Sequence, residues 1–181
     1  MDHRIIYLTG FMGSGKSTVG PILANTLGWD FYDLDRVIEE KEGMSVKEIF
    51  EKKGEAYFRD AERKSFLDLS SGDKVIISLG GGTAASQGNI DLLKKNGKLV
   101  YLKISPEAAY ARLRFKRDRP VLTINGTVNL PKDEFIEKLK DLMNQREKFY
   151  SQADITVQTD NISLGITIDK LARIITAEEQ N

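Results

Sequence analysis

Two short stretches carry residue types whose spacing suits phosphate chemistry. The first, Gly10-Phe-Met-Gly-Ser-Gly15-Lys16-Ser17, fits the pattern G-x-x-x-x-G-K-[ST] and lies between an apolar run and a helical pattern. Glycines in such a loop admit positive φ, so that backbone N–H groups turn inward around phosphate oxygens, and the helix that opens near Ser17 adds its positive end. Lys16 would then bridge the β- and γ-phosphates, and the Ser17 hydroxyl would ligate Mg²⁺. The chemistry implied is binding of a nucleoside triphosphate.

The second stretch is Asp33-Leu34-Asp35, after the second apolar run. At the carboxyl end of a strand in an open α/β sheet, such a pair faces the crevice where ligands bind. Both side chains point the same way as long as the chain stays extended. One carboxylate, Asp33, suits Mg²⁺, and the other, Asp35, suits a substrate hydroxyl whose hydrogen bond and proton it can accept. The competing reading is that these aspartates cap the helix beginning near Arg36. Two further observations narrow the class. The guanine-reading sequence Asn-Lys-x-Asp is absent, which disfavours a GTPase switch. The third apolar run ends in Gly80-Gly81-Gly82 rather than in the acid that motor ATPases place there.

These residues need a scaffold, and the periodicity supplies one. Apolar runs at 4–9, 30–32, 74–79, 98–104 and 155–158 predict strands, most without clean alternation, as expected for a sheet covered on both faces. Helical patterns are predicted at 17–27, 35–42, 45–53, 56–69, 87–95, 106–114, 132–150 and 163–177. Ser45 with Glu48 reads as a capping box, and Ser105 with Pro106 as a helix start. Alternation of strands and helices implies a parallel sheet between two helical layers. The stretch 117–131, with two prolines and little periodicity, is the one long irregular segment and has the character of a lid.

With 181 residues the chain supports one substantial core, so residues 1–181 are read as a single domain. Lys+Arg and Asp+Glu both number 27, and this balance disfavours a nucleic-acid or membrane-surface partner. Cysteine is absent, which excludes disulfides, thiolate zinc sites and thiol nucleophiles. The opening run Ile5–Leu8 is too short for the apolar core of a secretion signal, and no run approaches the roughly 20 residues of a membrane helix. A cytoplasmic enzyme is expected. His3 reads as an exposed terminal residue and Trp29 as a packing residue.

The order and spacing of the motifs resemble the shikimate kinases over nearly the whole chain. The matching residues are Gly10–Thr18, Asp33-Leu-Asp35, Gly54-Glu-Ala-Tyr-Phe-Arg59-Asp-Ala-Glu62, Gly80-Gly81-Gly82, Arg117-Asp-Arg119-Pro-Val-Leu122 and Arg146-Glu-Lys-Phe-Tyr150. The resemblance implies a nucleoside-monophosphate-kinase-like, three-layer α/β/α P-loop fold, with a five-stranded parallel sheet of order 2-3-1-4-5. It implies a lid at roughly 112–130 and an acceptor-binding region at roughly 33–62. The implied activity is transfer of the ATP γ-phosphoryl group to the 3-hydroxyl of shikimate, with Mg²⁺, by a monomer.

The resemblance also assigns residues. Gly13, Ser14, Gly15, Lys16, Ser17 and Thr18 hold the nucleotide, Arg112 packs on adenine, and Arg119 swings over the phosphates to stabilise transferring charge. Arg59 and Arg146 meet the shikimate carboxylate, Glu62 orients them, Gly80, Gly81 and Gly82 approach the ring, and Asp35 binds the reacting hydroxyl. Read alone, each arginine is better explained as a solvated helix charge, and Glu62 equally well as a surface ion pair. Thr123–Leu130 departs from the commoner lid tip, and Thr159–Ser163 offers no arginine for adenine, so backbone contacts are expected there. The nearest rival is another small-molecule kinase of the same fold, such as a gluconate kinase, because gluconate is also a polyhydroxy acid. A binding module without turnover is the rival from another class, and the intact Lys16, Asp35, Arg59, Arg119 and Arg146 argue against it.

Overall fold

A computed structural model of the protein describes residues 4–114 and 131–178. Five strands form one sheet: β1 (Ile5–Thr9), β2 (Asp30–Asp33), β3 (Val75–Ser78), β4 (Lys98–Lys103) and β5 (Ile155–Gln158). Their order is β2-β3-β1-β4-β5 and every pairing is parallel, as expected. The helices are α1 (Lys16–Leu27), α2 (Leu34–Glu42), α3 (Val46–Leu69), α4 (Gln87–Asn96), α5 (Pro106–Leu113), α6 (Lys132–Tyr150) and α7 (Leu164–Glu178).

Successive side chains of a strand leave on opposite faces, and the core follows that rule. Ile5, Tyr7, Val75, Ile77, Leu99 and Tyr101 face one layer, where Leu34, Ile38, Phe58, Phe66 and Tyr150 cover them. Ile6, Leu8, Ile76, Val100 and Leu102 face the other, under Val19, Leu23, Ile168 and Leu171. The central strands β1 and β3 are buried throughout, whereas the edge strand β5 alternates buried and exposed. A third cluster at the carboxyl end of the sheet packs Phe11 and Met12 against Leu113, Phe135 and Leu139 of α5 and α6. Trp29 packs beside the second cluster, as its position after Gly28 suggested.

Local signals in the sequence explain the element ends. Ser45 and Glu48 form the capping box, and Ser105 caps α5 with Pro106 in its first turn. The two helices expected at 45–53 and 56–69 run on as α3, but Gly54 breaks it with φ 83° and ψ 169°. That φ strains any residue with a Cβ, so Gly54 supplies the bend between the two halves. Of the lid expected at roughly 112–130, residues 112–114 close α5, while 115–130, with the basic residues Lys116, Arg117 and Arg119, lie outside the described residues, as does His3.

Candidate active site

The phosphate-loop pattern occupies the turn from β1 into α1. Gly10, Gly13 and Gly15 have φ of 144°, 82° and 103°, and Gly15 is the residue before the helix. A Cβ on Gly10 would fall 2.5 Å from the Leu102 carbonyl oxygen, so β4 requires glycine there. No side chain caps α1, in contrast to α3 and α5. The positive end of the helix dipole favours an anion at this uncapped start. Lys16 Nζ donates to the Gly10 carbonyl at 2.7 Å and so curls over the loop. Ser14 is 1% exposed, and its hydroxyl has no partner among the described residues. Arg112 reaches across from α5, donating to the Gly13 carbonyl at 2.9 Å and to the Thr159 carbonyl at 2.6 Å. It thereby ties the phosphate loop to the chain leaving β5.

The Asp-x-Asp pair is arranged differently from the extended strand end expected for it. β2 stops at Asp33, and α2 starts at Leu34. Asp33 is the N-cap of α2, its carboxylate accepting from the Arg36 N–H at 3.4 Å. The turn into the helix, rather than strand alternation, sends Asp35 into the crevice. Burial raises the Asp35 carboxyl from its ordinary value to about 6, the charges of Asp33 and Glu62 push the same way, and the Lys16 ammonium opposes them.

The three consecutive glycines after β3 are the meeting point of the acceptor-side residues. A Cβ on Gly80 would lie 2.6 Å from Asp35 Oδ1 and 3.3 Å from Glu62 Oε1. One on Gly81 would lie 3.0 Å from Arg146 Nη1, and one on Gly82 would lie 2.8 Å from both terminal nitrogens of Arg59. Helices α2, α3 and α6 thus bring a carboxylate and two guanidinium groups against one loop. Glycine is required here by the neighbouring side chains, since none of the three has positive φ.

Glu62 is 1% exposed, which sets aside the surface ion-pair reading. Its Oε2 accepts from Arg59 Nη1 at 3.0 Å, and its Oε1 accepts from the Thr83 hydroxyl at 2.6 Å. Asn89 of α4 in turn donates to the Thr83 carbonyl at 2.7 Å. Arg59 also meets Glu55 at 3.1 Å and lies over the rings of Phe58 and Phe50, at 5.4 and 5.9 Å. Arg146 lies 5.7 Å from the centre of the Phe11 ring. Thr83 and Asn89 escaped the sequence reading, and Phe11 and Phe58 entered it only as members of their motifs, without a role of their own. Only the adjacency of Thr83 to the glycines and of Phe58 to Arg59 could have signalled them. Arg119 belongs to the residues outside the described ones.

A sequence model of the shikimate kinase family matches residues 12–176. The chain is 45% identical over 173 residues to the shikimate kinase of Chlorobium phaeobacteroides, covering 96% of this chain and 91% of the relative. Against the shikimate kinase of a Sulfurihydrogenibium species it is 46% identical over 155 residues, 86% of this chain and 87% of the relative. The crystal structure of the Bacteroides thetaiotaomicron shikimate kinase superposes with a TM-score of 0.85 at 32% identity, over 96% of this chain and 98% of that one. The Acinetobacter baumannii shikimate kinase in complex with shikimate also gives 0.85, at 33% identity, over 99% and 96%. The phosphate loop, the buried carboxylate and the paired arginines therefore stand in a chain that belongs to the shikimate kinase family.

Proposed function

We propose that the protein transfers the γ-phosphoryl group of ATP to the 3-hydroxyl of shikimate, on the route to chorismate and the aromatic amino acids. The observation that carries this reading is the convergence of Asp35, Arg59 and Arg146 on the Gly80–Gly82 loop. A small ring bearing one carboxylate and several hydroxyls needs planar cations for the acid and a carboxylate for the reacting hydroxyl. The shikimate complex of the Acinetobacter baumannii enzyme supports the same assignment.

Arg59, held by Glu62, and Arg146 bind the shikimate carboxylate, and Asp35 accepts a hydrogen bond from the attacking hydroxyl. With its carboxyl raised to about 6, Asp35 is ionised at neutral pH yet basic enough to take the proton as the bond to phosphorus forms. Lys16 and the N–H groups from Gly13 to Thr18 neutralise the triphosphate. Arg119, at the position the family motif gives it, supplies a further cation to the transferring charge. Arg112, fixed by its bonds to the Gly13 and Thr159 carbonyls, would pack on the base of ATP.

Magnesium fits the oxygen donors on this side of the crevice, the Ser17 hydroxyl in the first turn of α1 and the Asp33 carboxylate at the end of β2. Hard oxygens, few in number and completed by phosphates, are the set this ion accepts. When bound it would screen the charge of the β- and γ-phosphates.

None of the described helices is long and apolar enough to cross a membrane. One chain carries Asp35, Arg59, Glu62 and Arg146, which supports a working monomer, and a cytoplasmic location belongs to the same reading. The deciding experiment is ADP release with ATP and Mg²⁺ in the separate presence of shikimate, gluconate and AMP. Release with shikimate alone is expected. Release with gluconate alone would overturn the acceptor, and release with none would leave a nucleotide-binding module.

A further inference from the structure

Tyr150, the last residue of α6, is 1% exposed, yet its hydroxyl donates to the Gly81 carbonyl at 2.7 Å. The Arg146 guanidinium, one turn earlier on the same helix face, stands beside that hydroxyl, and its charge opposes the rise that burial gives the Tyr150 pKa. Arg146 Nη1 also lies at the closest approach to Gly81, 3.0 Å from where a Cβ would stand. The glycine loop therefore anchors the hydroxyl proton, and the hydroxyl and the guanidinium both close on Gly81, which leaves the oxygen's free electron pairs for a cationic donor. On the opposite side the Tyr150 ring packs on Tyr101 at 5.3 Å, and the Tyr101 hydroxyl donates to Glu147 at 2.8 Å. The ring is thus fixed from behind by β4.

We propose that Tyr150 is a positioning residue of the acceptor site: its hydroxyl, held by the Gly81 carbonyl, sets the orientation of Arg146 toward the substrate carboxylate. This rests on the acceptor reading given above. Arg59 has Glu62 and Glu55 to orient it. Tyr150 gives Arg146 an equivalent without placing another negative charge beside an anionic substrate.

Tyr150→Phe keeps the buried ring and removes only the hydroxyl. A hydrogen bond to a charged group lost from a buried site corresponds to roughly a tenfold change or more, so the KM for shikimate should rise about tenfold. The KM for ATP and the kcat at saturating shikimate should stay within about twofold, because the nucleotide side and Asp35 are untouched. Tyr101→Phe, which removes a hydroxyl from the same core without touching Arg146, should leave the shikimate KM unchanged. An unchanged KM in Tyr150→Phe overturns the inference, and so does an equal rise in Tyr101→Phe or a parallel rise in the ATP KM. Wild-type protein without shikimate-dependent ADP release would overturn the acceptor reading and this inference with it. Wild-type turnover beside an unaltered Tyr150→Phe overturns the inference alone.

Discussion

Asp35 and Glu62 approach one glycine from two helices. A methyl group on Gly80 would stand 2.6 Å from Asp35 Oδ1 and 3.3 Å from Glu62 Oε1. Two carboxylates so near in a buried place cannot both ionise cheaply, and Glu62 already has the Arg59 guanidinium and the Thr83 hydroxyl. Asp35 has burial against it first, then the charges of Asp33 and Glu62, and its carboxyl is raised to about 6.

From this follows a pH dependence. If Asp35 must be ionised to receive the hydroxyl proton, kcat/KM for shikimate falls tenfold per pH unit below an apparent pKa near 6. Asp33 is one of the charges that raises that value, so Asp33→Asn should move the acid limb to lower pH, whatever it does to the plateau. A pH–rate series on the two proteins checks this. A limb that stays in place, or moves upward, removes Asp35 as the titrating group.

Replacing Asp35 with Asn should separate activity from stability. Turnover should drop by roughly 10²–10⁴-fold, the usual worth of a positioned acid–base group, with ATP affinity largely kept. The folded protein should gain. A carboxyl raised from 3.8 to about 6 binds protons more readily folded than unfolded, so at pH 8 its ionised form costs up to about 3 kcal/mol. Relief of that cost should raise Tm by several degrees at pH 8. The gain should shrink as pH falls through 6 and vanish by about pH 4. Thermal melts at three pH values decide it, and a variant less stable than wild type at pH 8 would refute the charge argument.

Gly82→Ala tests whether the glycine loop is shaped by the arginines. Its backbone has ordinary φ, so alanine brings no backbone strain, but its methyl would stand 2.8 Å from both terminal nitrogens of Arg59. Arg59 must move, and the shikimate KM should rise by roughly ten- to a hundredfold, as for a lost charge-assisted contact. The ATP KM should remain within about twofold. Equal losses on both substrates would mean that the loop has collapsed.

On the nucleotide side, Arg112→Ala removes the donors to the Gly13 and Thr159 carbonyls together. The ATP KM should rise roughly tenfold while the shikimate KM holds, reversing the pattern of Gly82→Ala. Initial rates with each substrate varied in turn distinguish the two.

The elements were legible because their signals are local. Strand 155–158 and helix 132–150 have the predicted bounds, and the cap residues Ser45 and Ser105 do what their types suggest. Gly54 marked a helix boundary and proved to be a bend within α3, since periodicity does not distinguish a stop from a kink. The sequence left two readings open at Asp33, an extended pair and a helix cap, for a related reason. Capping and metal binding call for the same carboxylate, and only the point where β2 ends separates an extended pair from a cap and a buried acid. Depth was not legible at Glu62. Helical spacing shows which face a residue shares, but its burial comes from Thr83 and Gly80 on a loop distant in sequence. Arg59 and Arg146 likewise look like solvated charges until the sheet order brings α3 and α6 to the same glycines.

The pairing of β1 with β3 has one more implication. The phosphate loop leaves β1 and the glycine loop leaves β3, and these neighbours stay in register to their ends, Leu8 opposite Ser78 with the Leu79 N–H bonded to the Leu8 carbonyl at 2.9 Å. Both loops therefore start from adjacent rungs, about 4.8 Å apart. The gauge between giver and taker of the phosphoryl group is the pitch of the sheet itself. Substitutions in either loop can retune which acceptor is held, but widening that gauge means unzipping the middle of the molecule.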